Sequence, residues 1–110
     1  MSYLPSQGDI VWLDFDSCSG KEIIKRRPAF VISRKAFNEH TGLAIVAPIT
    51  SKVRNISLEV VLSEGLKTEG AILVHQLKSL DFKERGVELI EKASTEITLQ
   101  LSKLARIIVQ

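Results

Sequence analysis

The chain has 110 residues, 45% hydrophobic and 25% charged, and a formal net charge of +2. Those values suit one globular domain spanning residues 1–110 and leave little room for a second. No apolar run reaches the roughly 18 residues that a membrane span needs. The opening MSYLPSQGDI lacks the basic-then-apolar pattern of a secretory leader. The single cysteine, Cys18, has no internal disulfide partner, so a cytoplasmic location is expected.

Charge is unevenly spread. Residues 21–54 carry eight basic side chains against two acidic ones, whereas the rest of the chain carries seven against eleven. A basic stretch on an otherwise acidic chain is a local positive field, suited to a polyanion. The simpler alternative is a solvated surface cluster.

In chain order, GDIVWLDFD reads as a strand, with Ile10 and Trp12 on one side and Val11, Leu13 and Phe15 on the other. SCSGK, residues 17–21, reads as a loop. PAFVIS is a short apolar strand with Pro28 at its first position, where a missing N–H does least harm. SRKAFNEHTG makes a helical turn or compact loop, with Ser33 as N-cap and Gly42 as stop. LAIVAPIT, residues 43–50, is another apolar run, in which Pro48 predicts a sheet edge or a break just before Thr50. ISLEVVL and RGVELIEKA read as strands, and GAILVHQLKSLDF as a strand that continues through a bend. After Ser94, a fitting N-cap, the period changes: Ile97, Leu101, Leu104 and Ile108 form one stripe of a helix. Short strands followed by one helix predict a mainly β fold, a small, strongly bent antiparallel sheet or open barrel with a C-terminal helix.

Several chemistries lack their residues. His40 and His75 lie far apart with one cysteine in the chain, so no metal site is expected. Phosphate-binding glycine motifs and nucleophile elbows are absent, and no cofactor is expected. What remains is a set of polar residues at strand ends: Glu22, Arg27, Thr50, His75 and Gln76. Rigid strands present such residues with fixed geometry. Each also has a plainer reading. Arg27 pairs with Glu22 on the surface, Thr50 bonds backbone, Gln76 caps a turn, and His75 is half-buried without duty.

A resemblance goes further. GDIVWLDFD, GKEIIKRRPAFVIS, LAIVAPITS and GAILVHQLKSLDFKERG resemble, in order, the opening strand, the G-x-E-x(4)-R-P segment, the strand ending in P-x-T and the Q-x-K-S-[IL] block of the MazF/PemK (Kid) toxins of type II toxin–antitoxin systems. The similarity runs over residues 8–109. It implies an SH3-like or CcdB/Kid-like barrel, a homodimer, and a metal-independent mRNA interferase acting on single-stranded RNA. It also implies a cognate MazE/PemI-like antitoxin that blocks the RNA groove.

Carried over by position, the resemblance assigns Arg27 and Thr50 as the catalytic pair. Glu22 stands at the family's loop glutamate, and Gln76 near the scissile phosphate. Before that glutamine the family usually has Asp or Glu; here stands His75, whose imidazole, with an ordinary pKa of about 6.5, can also move a proton. The position before the loop glutamate, His in some members, is Lys21. Glu22 and His75 are thus rival general bases. Lys21, Lys25, Arg26, Lys52, Arg54 and Lys78 are expected to track RNA phosphates. Two alternatives stand beside the ribonuclease: a CcdB-like gyrase poison on the same scaffold, and a non-catalytic RNA-binding module. Most of the six aromatic residues look like core.

Overall fold

The computed structural model describes residues 3–15, 26–54, 56–62 and 65–109. In chain order these form β1 (Asp9–Asp14), β2 (Arg26–Val31), α1 (Lys35–Thr41), β3 (Leu43–Thr50), β4 (Glu59–Val61), β5 (Ala71–Leu73), a 3-10 turn (Val74–Gln76), β6 (Lys78–Asp81), β7 (Glu88–Lys92) and α2 (Thr95–Val109). One antiparallel sheet runs β4-β5-β3-β2-β1-β7, and β6 also pairs with β3. The mainly β fold with a C-terminal helix is as expected. The sheet stays open, since no pairing joins β4 to β7 among the described residues.

Strand alternation sorts the apolar residues into two cores. Ile10, Phe30, Ala47, Ile49, Ile72 and Val74 pack with Ile97 and Leu101 of α2, which lies on that side of the sheet. Val11, Leu13, Ala29, Val31, Val46 and Phe82 pack on the other side. β1 feeds both, as its pattern requires. Burying each Leu, Ile or Phe favours folding by about 1.5–3 kcal/mol. α2 begins as read: Ile97 N–H donates to Ser94 Oγ at 3.2 Å, a cap of about 1 kcal/mol. Its stripe is buried at Ile97 and Leu101, while Ile108 is 37% exposed. Among the described residues no helix is long and apolar enough to cross a membrane.

Three local expectations are corrected. Pro28 is interior to β2, which begins at Arg26. Pro48 neither ends β3 nor puts it at an edge; the strand runs through it to Thr50. It faces Ala29 of β2, and on its other side falls between residues 43–46, which pair with β6, and 49–50, which pair with β5. No ladder donor is needed there. Ser33 does not cap α1. Arg34 holds the cap position with no side-chain bond. Ser33 Oγ instead donates to Asn38 Oδ1 and accepts from Ile45 N–H, joining the turn to β3. Gly42 does stop α1, with φ 76° in the left-handed region.

The chain before β1 is tied down by Asp9. Its carboxylate, 7% exposed, accepts from Lys92 Nζ at 2.7 Å, from Ser6 N–H at 3.0 Å and from Tyr3 Oη. Burial and this carboxylate push the Tyr3 phenol well above its ordinary value.

Candidate functional site

Pro28 explains where a groove opens. β2 and β3 pair only through Ala29↔Pro48, Phe30↔Ala47 and Val31↔Val46. Beyond that point Pro28 has no N–H to donate toward β3, and the strands separate. β2 continues with β1, through Pro28↔Trp12, Leu13↔Arg27 and Asp14↔Arg26. β3 continues with β5, through Ile49↔Ile72 and Thr50↔Ala71. The fork leaves a groove of about 470 Å³ with Arg27 and Pro28 on one wall, Pro48 to Ser51 on the other, and Arg54, Glu69, Leu73 and Gln76 around its end.

Arg27 and Thr50 therefore share one groove although 23 residues separate them in the sequence. Arg27 is exposed and its guanidinium has no hydrogen-bond or ion-pair partner among the described residues. Thr50 Oγ1 accepts the Lys52 backbone N–H at 3.2 Å. That bond orients the hydroxyl and leaves its proton free to donate. Gln76, at the end of the 3-10 turn, is exposed and lines the groove. Arg54 adds a second guanidinium, and its backbone N–H is held by Glu59 Oε1 at 2.7 Å. Two guanidiniums, a hydroxyl, an amide and one carboxylate suit an anion better than a cation.

The other sequence-nominated residues are placed differently. Arg26, next to Arg27, is turned by strand alternation to the opposite side and donates to Asp14 at 3.1 Å, Glu88 at 2.5 Å and the Gly86 carbonyl at 2.6 Å. Lys78 Nζ lies 4.9 Å from the centre of the Phe15 ring, outside the groove lining. Lys52 is exposed beside Thr50. His75 is exposed in the same turn as Gln76 but does not line the groove. Glu22, Lys21 and Lys25 lie outside the described residues.

Two groove residues escaped sequence reasoning. Glu69 is the groove's carboxylate. Gly70 is its hinge: φ is +119°, and a Cβ there would stand 2.0 Å from the Thr50 carbonyl oxygen. Only glycine lets the chain after Glu69 pass so close to Thr50. The available signal was a lone glycine opening a strand, which marks close backbone approach.

The segment before Gly70 is fixed from across the sheet opening. Glu91 of β7 accepts from Lys67 N–H at 2.9 Å, Thr68 N–H at 2.8 Å and Thr68 Oγ1 at 2.8 Å. Desolvation raises the Glu91 pKa, but these hydrogen bonds and the Lys67 charge outweigh it and hold the carboxyl below its ordinary value. One side chain thus bridges the gap between the β4–β5 connection and β7.

This geometry can be set against known proteins. The family model described as "PemK-like, MazF-like toxin of type II toxin-antitoxin system" matches residues 6–109. The "Endoribonuclease toxin MazF" of Escherichia coli K12 is 39% identical over 84 residues, covering 76% of this chain and 75% of that protein. "Endoribonuclease toxin ChpB" from the same organism is 36% identical over 97 residues, covering 83% and 82%. The crystal structure of a MazE–MazF complex from Deinococcus radiodurans superposes with a TM-score of 0.88 at 34% identity, covering 99% of each chain. Family match, identity and fold agree over nearly the whole chain, which belongs to the PemK-like, MazF-like toxins of type II toxin–antitoxin systems.

Proposed function

We propose that the chain is a sequence-specific endoribonuclease whose groove cuts single-stranded mRNA by letting the substrate's own 2′-hydroxyl attack the neighbouring phosphate. The products are a 2′,3′-cyclic phosphate and a 5′-hydroxyl end, and no metal is required. The observation that carries this reading is the Arg27 guanidinium, without a partner among the described residues, sharing a groove with the oriented Thr50 hydroxyl. Relatives named as endoribonucleases support the same reaction class over a gyrase poison or a passive RNA binder.

Arg27 faces the charge that develops on the phosphorane, because a guanidinium stays protonated and forks onto two oxygens. Thr50 donates to a non-bridging oxygen, and Gln76 orients the phosphate. Such groups act most strongly where water is displaced and their positions are already set. The 2′-hydroxyl proton goes to Glu22 or His75, and the departing 5′ oxygen is protonated in return. A log-rate profile against pH separates the two bases, because a carboxylate base keeps the rate up to lower pH than an imidazole base does. Arg54 and Lys52 hold flanking phosphates, so binding weakens as salt rises. The similarity to MazE–MazF complexes supports an antitoxin partner, an acidic segment of which suits the basic groove, and a homodimer is the proposed assembly in the cytoplasm.

The test is to incubate the purified protein with RNA in EDTA and map the ends. Cuts bearing cyclic phosphates support the reading. Intact RNA with inhibited gyrase, or RNA bound without cleavage, contradicts it.

A further inference from the structure

A second pocket, of about 400 Å³, lies beside the groove and is lined by Trp12, Pro28, Lys67, Thr68, Glu69 and Ile90. It shares Pro28 and Glu69 with the groove. Trp12 is 40% exposed, whereas most apolar residues of β1 are fully buried. It sits directly across the ladder from Pro28, the residue after Arg27. Ile90 is the extra residue of a β-bulge, since Ile10 pairs with Glu91 and Val11 with Leu89. The opposite rim, Lys67 to Glu69, is the segment that Glu91 holds in place.

Resting on the ribonuclease reading, we infer that this pocket receives the base of a nucleotide adjoining the scissile phosphate, stacked on Trp12 and read by Glu69. A splayed-out base needs an aromatic or apolar face and a polar group at its edge. Trp12, Pro28 and Ile90 supply the first, and the Glu69 carboxylate supplies the second. An acceptor-only carboxylate takes hydrogen bonds from the exocyclic amine of adenine or cytosine, or from the N1–H and amine of guanine. It is repelled by uracil, whose two carbonyls flank a single N–H. Lys67 at the rim meets the attached phosphate. Continuity with the groove is what selects RNA as the occupant: strand alternation turns Trp12 and Pro28 to the face opposite Arg27, and an RNA strand with its phosphate at Arg27 rounds the shared rim of Pro28 and Glu69 to set an adjoining base on Trp12.

Trp12 is the chain's single tryptophan, so its emission reports on this pocket alone. Short 2′-O-methyl RNA oligonucleotides, which lack the nucleophile, are titrated into the whole protein. Binding is followed both by Trp12 emission and by polarisation of a dye on the oligonucleotide. In parallel, cleavage sites are sequenced for the wild type, Trp12→Phe, Trp12→Ala and Glu69→Gln. The expected result is a change of Trp12 emission on binding and a preference against uracil at one position beside the cut. Trp12→Ala weakens binding on the order of 10- to 100-fold, the worth of one stacked base, and Trp12→Phe restores part of it. Glu69→Gln removes the discrimination against uracil. Oligonucleotide binding and cleavage with silent Trp12 emission and unchanged site preference in Glu69→Gln would overturn the proposal, leave the ribonuclease reading intact and assign the pocket to a protein partner. Failure of every oligonucleotide to bind or be cut would overturn both.

Discussion

Arg26 and Arg27 are adjacent in one strand, yet they belong to different parts of the molecule. Arg26 lies in a small ion-pair knot with Asp14, Glu88 and the Gly86 carbonyl. Arg27 projects into the groove without a partner among the described residues. Register alone separates them, because successive strand residues face opposite sides. A positive charge is available for a ligand only where the fold leaves it without a partner, and Pro28 creates that place by stopping the β2–β3 ladder.

The largest effect expected is on Arg27. Arg27→Ala lowers single-turnover cleavage about 10²–10³-fold, as loss of a transition-state donor does, while thermal unfolding is unchanged. Arg26→Ala shows the reverse: cleavage stays near the wild-type rate and stability falls by only about 1 kcal/mol, because its partner Glu88 is 71% exposed and well screened. Equal losses of activity in the two variants would erase the distinction.

Thr50→Val keeps the shape and removes the hydroxyl. Cleavage is expected to drop on the order of 10²-fold, with substrate affinity little altered. A variant as fast as the wild type would remove Thr50 from the reaction.

Gly70→Ala tests the hinge rather than the chemistry. Its Cβ meets the Thr50 carbonyl oxygen at 2.0 Å, so the strand must shift. Stability should fall by about 1–3 kcal/mol and cleavage by about tenfold, both read on the same preparation. Normal activity with normal unfolding would show that the close approach is not needed.

The smallest effect concerns Glu91. Its folded-state pKa is below its ordinary value, so its stabilising contribution is fully present above the ordinary value of 4.5. It is lost as pH falls through the lower, folded-state pKa. Unfolding of wild type and Glu91→Gln, measured from pH 7 to pH 3, should differ at neutral pH and converge at the acid end. A gap that widens on acidification would contradict the sign.

Much of the fold was legible because its signals are local. The Ser94 cap and the Ile97–Leu101 stripe mark α2, and the alternation of β1 marks a strand between two cores. The prolines depart from their local rule, which assumes the strand edge is set nearby. Pro48 is accommodated by a change of neighbour from β6 to β5, which only the tertiary pairing supplies. Arg27 and Thr50 could be nominated from family resemblance and Arg26 set apart as a phosphate contact, but the ion pairs that hold Arg26 were not legible, because its partners Asp14 and Glu88 lie on β1 and β7. Glu69 and Trp12 were silent in sequence, since Glu91 positions the loop that brings them around one pocket.

The most direct test of the central claim uses one RNA oligonucleotide in EDTA, with and without a single 2′-deoxy substitution at the cleaved nucleotide. The all-RNA strand should be cut to a cyclic-phosphate end, while the substituted strand binds equally well and stays intact at that bond. Cleavage of the substituted strand at the same bond, or a strict requirement for added metal, would contradict it.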